Sequence, residues 1–174
     1  FRFVLVLLYG FWSVANAANS DSIYQLGSGD VISINVFGEE DLSFDKIRLT
    51  DAASFSFPFI GELVVKGMTA AQVEDTLIRG LKGDYLIDPK ISVSVLEYRD
   101  FFINGEVEKP GGYPYKPGLT LRKAMAIAGG ITDRGSESKI FVIREGRDDM
   151  EPERLDMESP VYPGDIVTVK ESFF

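Results

Sequence analysis

Alternating apolar and polar residues predict that the first ordered part of the chain is rich in strands. Between residues 32 and 37, isoleucine and valine alternate with serine, asparagine and phenylalanine, which is typical of a strand with one buried face. Shorter apolar runs bounded by turn residues predict further strands at residues 46–49, 55–59, 63–65 and 91–95. The pattern therefore indicates a unit built mainly of short strands.

One helix is predicted inside this unit. Thr69-Ala70-Ala71-Gln72 is a capping box, in which the Thr69 hydroxyl accepts the Gln72 N–H and the Gln72 side chain accepts the Thr69 N–H. Val73, Leu77 and Leu81 follow at a spacing of four residues, so they lie on one face of the helix. A glycine at position 83 predicts where the helix ends.

A second unit is predicted to begin near Tyr98. It holds a strand at residues 101–107, a turn at 108–112, and a helix that Thr120 caps and that ends at Gly129-Gly130. Strands at residues 140–144 and 166–169 follow, with an acidic loop at 148–158 between them. The expected fold class is α+β, with one domain at residues 24–97 and another at 98–174.

The same Gly-Asp turn precedes a strand in each unit. Gly27-Ser28-Gly29-Asp30 leads into the first strand, and Pro163-Gly164-Asp165 leads into the last. Glycine supplies a permissive backbone, and the aspartate carboxylate can accept backbone N–H groups and close the turn. A phosphate-binding loop would lead into a helix, and a nucleophile at Ser28 would need a histidine. We therefore interpret both turns as structural.

The first residues have the layout of a secretory signal peptide. Arg2 precedes an apolar run at residues 3–12, and Ala15-Asn16-Ala17 forms a small-residue cleavage site. The run is shorter than the roughly 20 residues that span a bilayer. We expect residues 1–17 to be removed and residues 18–23 to form a flexible leader. The alternative interpretations of the apolar run are a buried strand and a membrane anchor.

Composition excludes several kinds of chemistry. The 174 residues include no histidine and no cysteine, so Ser-His-Asp triads, thiol catalysis and zinc sites with these ligands are excluded. The formal net charge of −9 offers no basic footprint for nucleic acid. We predict no catalytic residue, no cofactor and no metal site.

Acidic clusters leave glycoside hydrolysis as an alternative. The candidate carboxylates are Glu39, Glu40, Asp41, Asp148, Asp149, Glu151 and Glu153. A catalytic pair would need burial or crowding to raise one pKa. Both clusters lie in polar stretches, so we expect solvated turns.

Aromatic residues near the turns of the second unit could stack on sugar rings or pack into a core or interface. These candidate polysaccharide or interface contacts are Tyr98, Phe101, Phe102, Tyr113 and Tyr115. The sequence leaves both interpretations open.

Several segments together resemble one known family, the polysaccharide export proteins of Gram-negative envelopes. The stretches that begin at Tyr24, Pro58 and Tyr85 resemble the export domain. Those that begin at Gly105 and Leu119 resemble the β-grasp domain called SLBB, for soluble-ligand-binding β-grasp. The signature positions, expected to be structural, are Tyr24, Gly27, Gly29, Asp30, Pro58, Gly61, Gly67, Thr69, Pro89, Gly105, Pro110, Gly111, Gly129, Gly130, Gly164 and Asp165.

The resemblance implies a periplasmic component of an exopolysaccharide or capsule export machine. Family members form homo-oligomeric rings that work with an inner-membrane polysaccharide copolymerase and conduct polymer without bond chemistry. This sequence departs from the larger members of the family. They carry an acylated cysteine at the position of Ala18 and a glycine in the turn at residues 51–54. They also have a C-terminal amphipathic helix and repeated β-grasp domains. We therefore expect reliance on a separate outer-membrane barrel. A carbohydrate-binding module and an acidic polysaccharide hydrolase are the alternatives.

Overall fold

A computed structural model describes residues 24–145 and 151–172 of the chain. The predicted signal peptide and leader, Asp148 and Asp149 lie outside the described residues. Strands and two α-helices are mixed along the described residues, which confirms the predicted α+β class. Two separate hydrophobic cores divide the described residues into an N-terminal unit and a C-terminal unit.

The N-terminal unit is a three-stranded antiparallel sheet, a hairpin and a helix. The sheet has the order β2–β1–β5, with β1 at Val31–Val36, β2 at Phe44–Arg48 and β5 at Ile91–Glu97. The hairpin joins β3 at Ser54–Phe57 to β4 at Gly61–Val64. Its helix α1 spans Ala70–Leu81 and buries Val73, Leu77 and Leu81, the face that the spacing of four predicts.

The C-terminal unit is a five-stranded mixed sheet with one helix in its core. The strand order is β7–β6–β10–β8–β9, and only the β6–β10 pair is parallel. The strands span Phe101–Gly105 (β6), Gly111–Tyr113 (β7), Gly135–Ile143 (β8), Glu153–Arg154 (β9) and Ile166–Glu171 (β10). Helix α2 spans Leu121–Ile127 and shares one core with the buried side chains of β6, β8 and β10.

The two helices begin in different ways. The capping box of α1 is confirmed, because Gln72 N–H donates to Thr69 Oγ1 (3.3 Å) and Thr69 N–H donates to Gln72 Oε1 (2.9 Å). Thr120 is the N-cap residue of α2, as predicted, but its side chain makes no capping hydrogen bond. The first N–H groups of α2 instead donate to the carbonyls of Met157 and Ser159, both at 2.9 Å.

Two predicted turns contain short strands. The expected turn at residues 108–112 includes the first residues of β7, and the expected acidic loop includes β9. Both strands lie at the edges of the sheet, where pairing with one neighbour orders two or three residues. In the N-terminal unit, the turn at residues 51–54, where the resemblance implies a glycine, contains Ala53 with a φ of 53°.

Candidate functional site

The two Gly-Asp turns have the same internal geometry. Asp30 Oδ2 accepts the Gly27 N–H, and Asp165 Oδ2 accepts the Tyr162 N–H, both at 2.8 Å and both three residues back. Gly29 and Gly164 have φ values of 84° and 81°, in the left-handed region that glycine adopts without strain. Each aspartate is buried, so each turn places a carboxylate inside the protein.

Each buried aspartate pairs with an arginine that follows the neighbouring antiparallel strand. Asp30 precedes β1, and Arg99 follows β5; the distance from Arg99 Nη1 to Asp30 Oδ2 is 3.2 Å. In the same way Asp165 precedes β10, and Arg144 follows β8; the distance from Arg144 Nη1 to Asp165 Oδ2 is 2.5 Å. Antiparallel pairing puts the start of one strand beside the end of the other, which explains why both units contain this Asp–Arg pair.

Arg99 connects the two units. Its Nη1 donates to Tyr24 Oη and its Nε donates to Glu145 Oε2, both at 2.6 Å. Its backbone N–H donates to Asp30 Oδ1 (2.9 Å), and Tyr24 Oη donates to Asp30 Oδ2 (2.6 Å). Because Glu145 follows β8, the Arg99–Glu145 ion pair joins the N-terminal Asp–Arg pair to the C-terminal unit.

The protonation states of this cluster follow from burial and charge. Burial alone lowers the pKa of Arg99, but the hydrogen bond to Glu145 and the charges of its neighbours outweigh it and raise the pKa above its usual value. Burial, followed by the hydrogen bond to Asp30, raises the pKa of Tyr24. Arg99 therefore stays a cation, and Tyr24 stays a neutral hydroxyl donor.

Two glycines leave room for the Arg99–Glu145 ion pair. A Cβ atom at Gly27 would collide with the Arg99 guanidinium, and a Cβ atom at Gly164 would collide with the Glu145 carboxylate. The ion pair thus lies directly against both Gly-Asp turns. This close approach gives the two glycines a role that the sequence pattern did not indicate.

A cleft of about 560 Å³ opens beside this cluster, within the roughly 300–1,000 Å³ range of small-molecule sites. We call it the junction cleft. Its lining residues are Tyr24, Gln25, Tyr98, Arg99, Tyr115, Pro117, Arg144, Glu145, Tyr162, Pro163 and Asp165. Tyrosine rings form one wall, with edge-to-face contacts from Tyr24 to Tyr98 (4.7 Å between centroids) and from Tyr98 to Tyr115 (5.4 Å).

Only two of the five aromatic candidates line the junction cleft, namely Tyr98 and Tyr115. Phe101 is fully buried in the C-terminal core, so its ring cannot contact a polymer. Tyr113 packs on Phe101, with 5.9 Å between the ring centroids. The ring of Phe102 is about half exposed, but it does not line the cleft.

The signature residues are divided between the cleft and the rest of the fold. Tyr24 and Asp165 line the cleft, Asp30 lies behind it, and Thr69 caps α1. The remaining signature positions lie outside both the cleft lining and the two Gly-Asp turns. They are Pro58, Gly61, Gly67, Pro89, Gly105, Pro110, Gly111, Gly129 and Gly130.

Sequence reasoning missed Arg99, Arg144, Glu145 and Tyr162 as parts of the site. One signal was present: an arginine lies within two residues after the end of β5 and of β8, and each of these strands pairs antiparallel with a strand that follows a Gly-Asp turn. That signal becomes visible only once the strand pairing is known.

In the part of the chain that is described, the residues of the acidic clusters lie on the surface. Glu39, Glu40 and Asp41 are exposed around a short 3-10 helix at Glu40–Leu42, and Glu151 and Glu153 are exposed as well. Within residues 24–145 and 151–172, no group of three or more carboxylates is arranged to hold a metal ion.

Comparison with known families agrees with the order of the two units. Residues 18–96 match the profile described as "Polysaccharide biosynthesis/export protein", and residues 101–153 match the SLBB domain. The chain belongs to the polysaccharide biosynthesis/export family. This is a family of export proteins and not an enzyme family, and the chain carries its SLBB domain after the export domain.

Two relatives from other bacteria show the extent of the similarity. The chain is 32% identical over 150 residues to the "EPS I polysaccharide export outer membrane protein EpsA" of Ralstonia nicotianae, which covers 71% of this chain and 39% of the relative. It is 38% identical over 84 residues to the "Exopolysaccharide production protein ExoF" of Rhizobium meliloti, which covers 46% and 20%. The matches therefore span a fifth to two fifths of these relatives' lengths.

Over the ranges described by the structure, no helix is long and apolar enough to cross a membrane.

Proposed function

We propose that this chain is a periplasmic component of an exopolysaccharide or capsule export machine. Copies of the chain form or cap a ring-shaped conduit that receives polymer from an inner-membrane copolymerase and passes it to a separate outer-membrane protein. The boundary between the two domains falls between residues 97 and 98. Polymer moves through this assembly without the making or breaking of bonds.

The single observation that carries this proposal is the ordered match of both domains over most of the chain. The printed name of the Ralstonia relative, an export outer membrane protein, supports the same pathway and an envelope location. The absence of histidine and cysteine in the sequence is consistent with transport rather than catalysis.

A second candidate function is that of a carbohydrate-binding module that retains polymer without forming a conduit. The junction cleft favours this candidate, because tyrosine rings and paired charged groups converge there. The two functions differ in assembly. A conduit requires a closed oligomer, whereas a binding module works as a single copy.

The test combines secretion with assembly. Deletion of the gene should abolish secreted polymer, and the full chain expressed from a plasmid should restore it. Native mass spectrometry of the purified protein, alone and with its copolymerase, should show one closed oligomer of defined size. Unchanged secretion in the deletion strain would overturn the export function. Restored secretion by a protein that stays monomeric in both samples would overturn the conduit and favour the binding module.

A further inference from the structure

A second cleft, of about 680 Å³, adjoins the junction cleft. The two clefts share four lining residues: Tyr98, Arg99, Tyr115 and Pro117. Because Tyr98 and Tyr115 pack edge to face, they form a common aromatic wall between the clefts. We call these two residues the tyrosine pair. Two adjacent clefts on either side of one wall match a ligand made of repeating units better than a single small molecule.

The surfaces of the clefts match the chemistry of a sugar ring. A pyranose has apolar C–H faces and a rim of hydroxyl groups that both donate and accept hydrogen bonds. The junction cleft offers tyrosine and proline surfaces, including the half-exposed ring of Tyr162 beside Pro163. Next to these surfaces, Glu145 and Arg144 can accept from and donate to hydroxyl groups.

The charges around the junction cleft favour an uncharged ligand. Arg99 is paired with Asp30 (3.2 Å) and Glu145 (2.6 Å). Arg144 is paired with Asp165 (2.5 Å) and Glu153 (3.5 Å). Each arginine thus faces two carboxylates, so an anionic group would meet cations that are already neutralised and carboxylates that repel it. In the second cleft, Arg48 is paired with Glu97 at 3.1 Å.

We propose that the two clefts bind consecutive neutral sugar units of a polysaccharide, one unit on each side of the tyrosine pair. This inference deepens the proposed export function and rests on it for the class of ligand. The clefts hold the polymer at the junction of the two units, where the Arg99–Glu145 ion pair fixes the walls relative to each other.

The binding test uses isothermal titration calorimetry on the purified chain. The probes are maltohexaose, cellohexaose and laminarihexaose, their shared monomer glucose, and the anionic hexamer of galacturonic acid. At least one neutral hexamer should bind at least 10-fold more tightly than glucose, because glucose can occupy only one of the two clefts. The anionic hexamer should bind at least 10-fold more weakly than that neutral hexamer.

Substitutions test whether the neutral hexamer binds in the junction cleft. Tyr162→Ala should lower the affinity for the neutral hexamer at least 10-fold, and Tyr115→Phe, which keeps the ring, should retain the affinity within threefold. Tyr85→Ala is the matched control, since Tyr85 is a half-exposed tyrosine that lines neither cleft. Urea unfolding of each variant checks that the fold is intact. Equal affinities of Tyr162→Ala and Tyr85→Ala for the neutral hexamer would show that it does not bind in the junction cleft. If only the anionic hexamer bound to the protein, or if none of the probes bound, the proposal would be overturned.

The secretion assay separates this inference from the export function. Loss of secretion on deletion, together with no binding by any probe, would overturn the sugar clefts and leave export in place. Binding that depends on Tyr162, together with normal secretion on deletion, would support the clefts and overturn export. The two proposals can therefore fail independently.

Discussion

At the scale of single residues, Asp30 has the densest set of contacts in the site. Its carboxylate accepts hydrogen bonds from Gly27 N–H, Tyr24 Oη, and both the backbone and the guanidinium of Arg99. Asp30→Ala would leave these donors without their acceptor and Arg99 without its buried partner. We expect the free energy of unfolding to fall by about 3 kcal/mol.

Urea unfolding followed by circular dichroism measures this loss. The control is Asp84→Ala, because Asp84 is exposed and its substitution should change the free energy of unfolding by less than about 0.5 kcal/mol. A loss in Asp30→Ala no greater than that in the control would show that the buried carboxylate does not stabilise the turn.

Asp165, the other buried aspartate, predicts a pH dependence. Burial raises the pKa of its carboxyl, although the Tyr162 N–H and Arg144 act in the opposite direction. The folded protein therefore takes up this proton at a higher pH than the unfolded chain, where an aspartate has a pKa of about 3.9. The stabilisation linked to this proton is fully present below that value and is lost as the pH rises through the folded-state pKa.

The comparison of wild type with Asp165→Asn tests this sign. The free energy of unfolding of the wild type minus that of the variant should decrease as the pH rises from about 3.9 toward neutral. The non-titrating control Ser138→Ala should give a difference that does not depend on pH. A wild-type advantage that grows with rising pH would mean that Arg144 outweighs the effect of burial.

At the scale of elements, the two helix starts form a matched pair for experiment. Thr69→Ala removes a side-chain acceptor of the capping box and should lower the free energy of unfolding by about 1 kcal/mol. Thr120→Ala removes a side chain with no capping bond at the same position of α2, so its effect should be much smaller. Thermal unfolding of both variants compares their losses of unfolding free energy. Equal losses in the two variants would show that the capping box has no special role in stability.

Local signals predicted most of the elements. Alternation found β1 and β5, and the spacing of apolar residues found α1 with its cap, because each signal lies within about a dozen residues. The edge strand β9 and the start of α2 depend on distant backbone partners, such as the carbonyls of Met157 and Ser159 that accept from α2. Such partners leave no local pattern in the sequence.

At the scale of the whole molecule, the site shows the same limit. The repeated Gly-Asp motif indicated two turns, but the arginines that pair with them lie 69 and 21 residues away in the chain. The junction cleft exists because strand pairing brings Arg99, Arg144 and Glu145 together between the two cores. The sequence therefore indicated the turns, while tertiary structure determined what the turns hold.

Arg99 lies two residues after β5, and its side chain is held by Asp30 of the N-terminal unit, so its ion pair with Glu145 should control how firmly the two units are joined. Glu145→Ala removes the partner from the C-terminal unit and leaves both Asp–Arg pairs in place. Since Glu145 is partly exposed, the global free energy of unfolding should fall by only about 1 kcal/mol or less. The local effect should be larger at the Gly164 amide, which donates to the Asp100 carbonyl (2.9 Å) at the junction.

Native-state hydrogen exchange resolves this local effect. In Glu145→Ala, the Gly164 amide should exchange several-fold faster than in the wild type, whereas the amides of Ile34 and Val142, in the strands of the two cores, should keep their rates. Arg122→Ala breaks an exposed ion pair with Glu158 inside the C-terminal unit and should leave all three rates unchanged. If Glu145→Ala accelerated the core amides as much as Gly164, the ion pair would stabilise the whole fold. If it accelerated none of them, the junction would be held by the backbone alone, and the walls of the junction cleft would keep their positions without it.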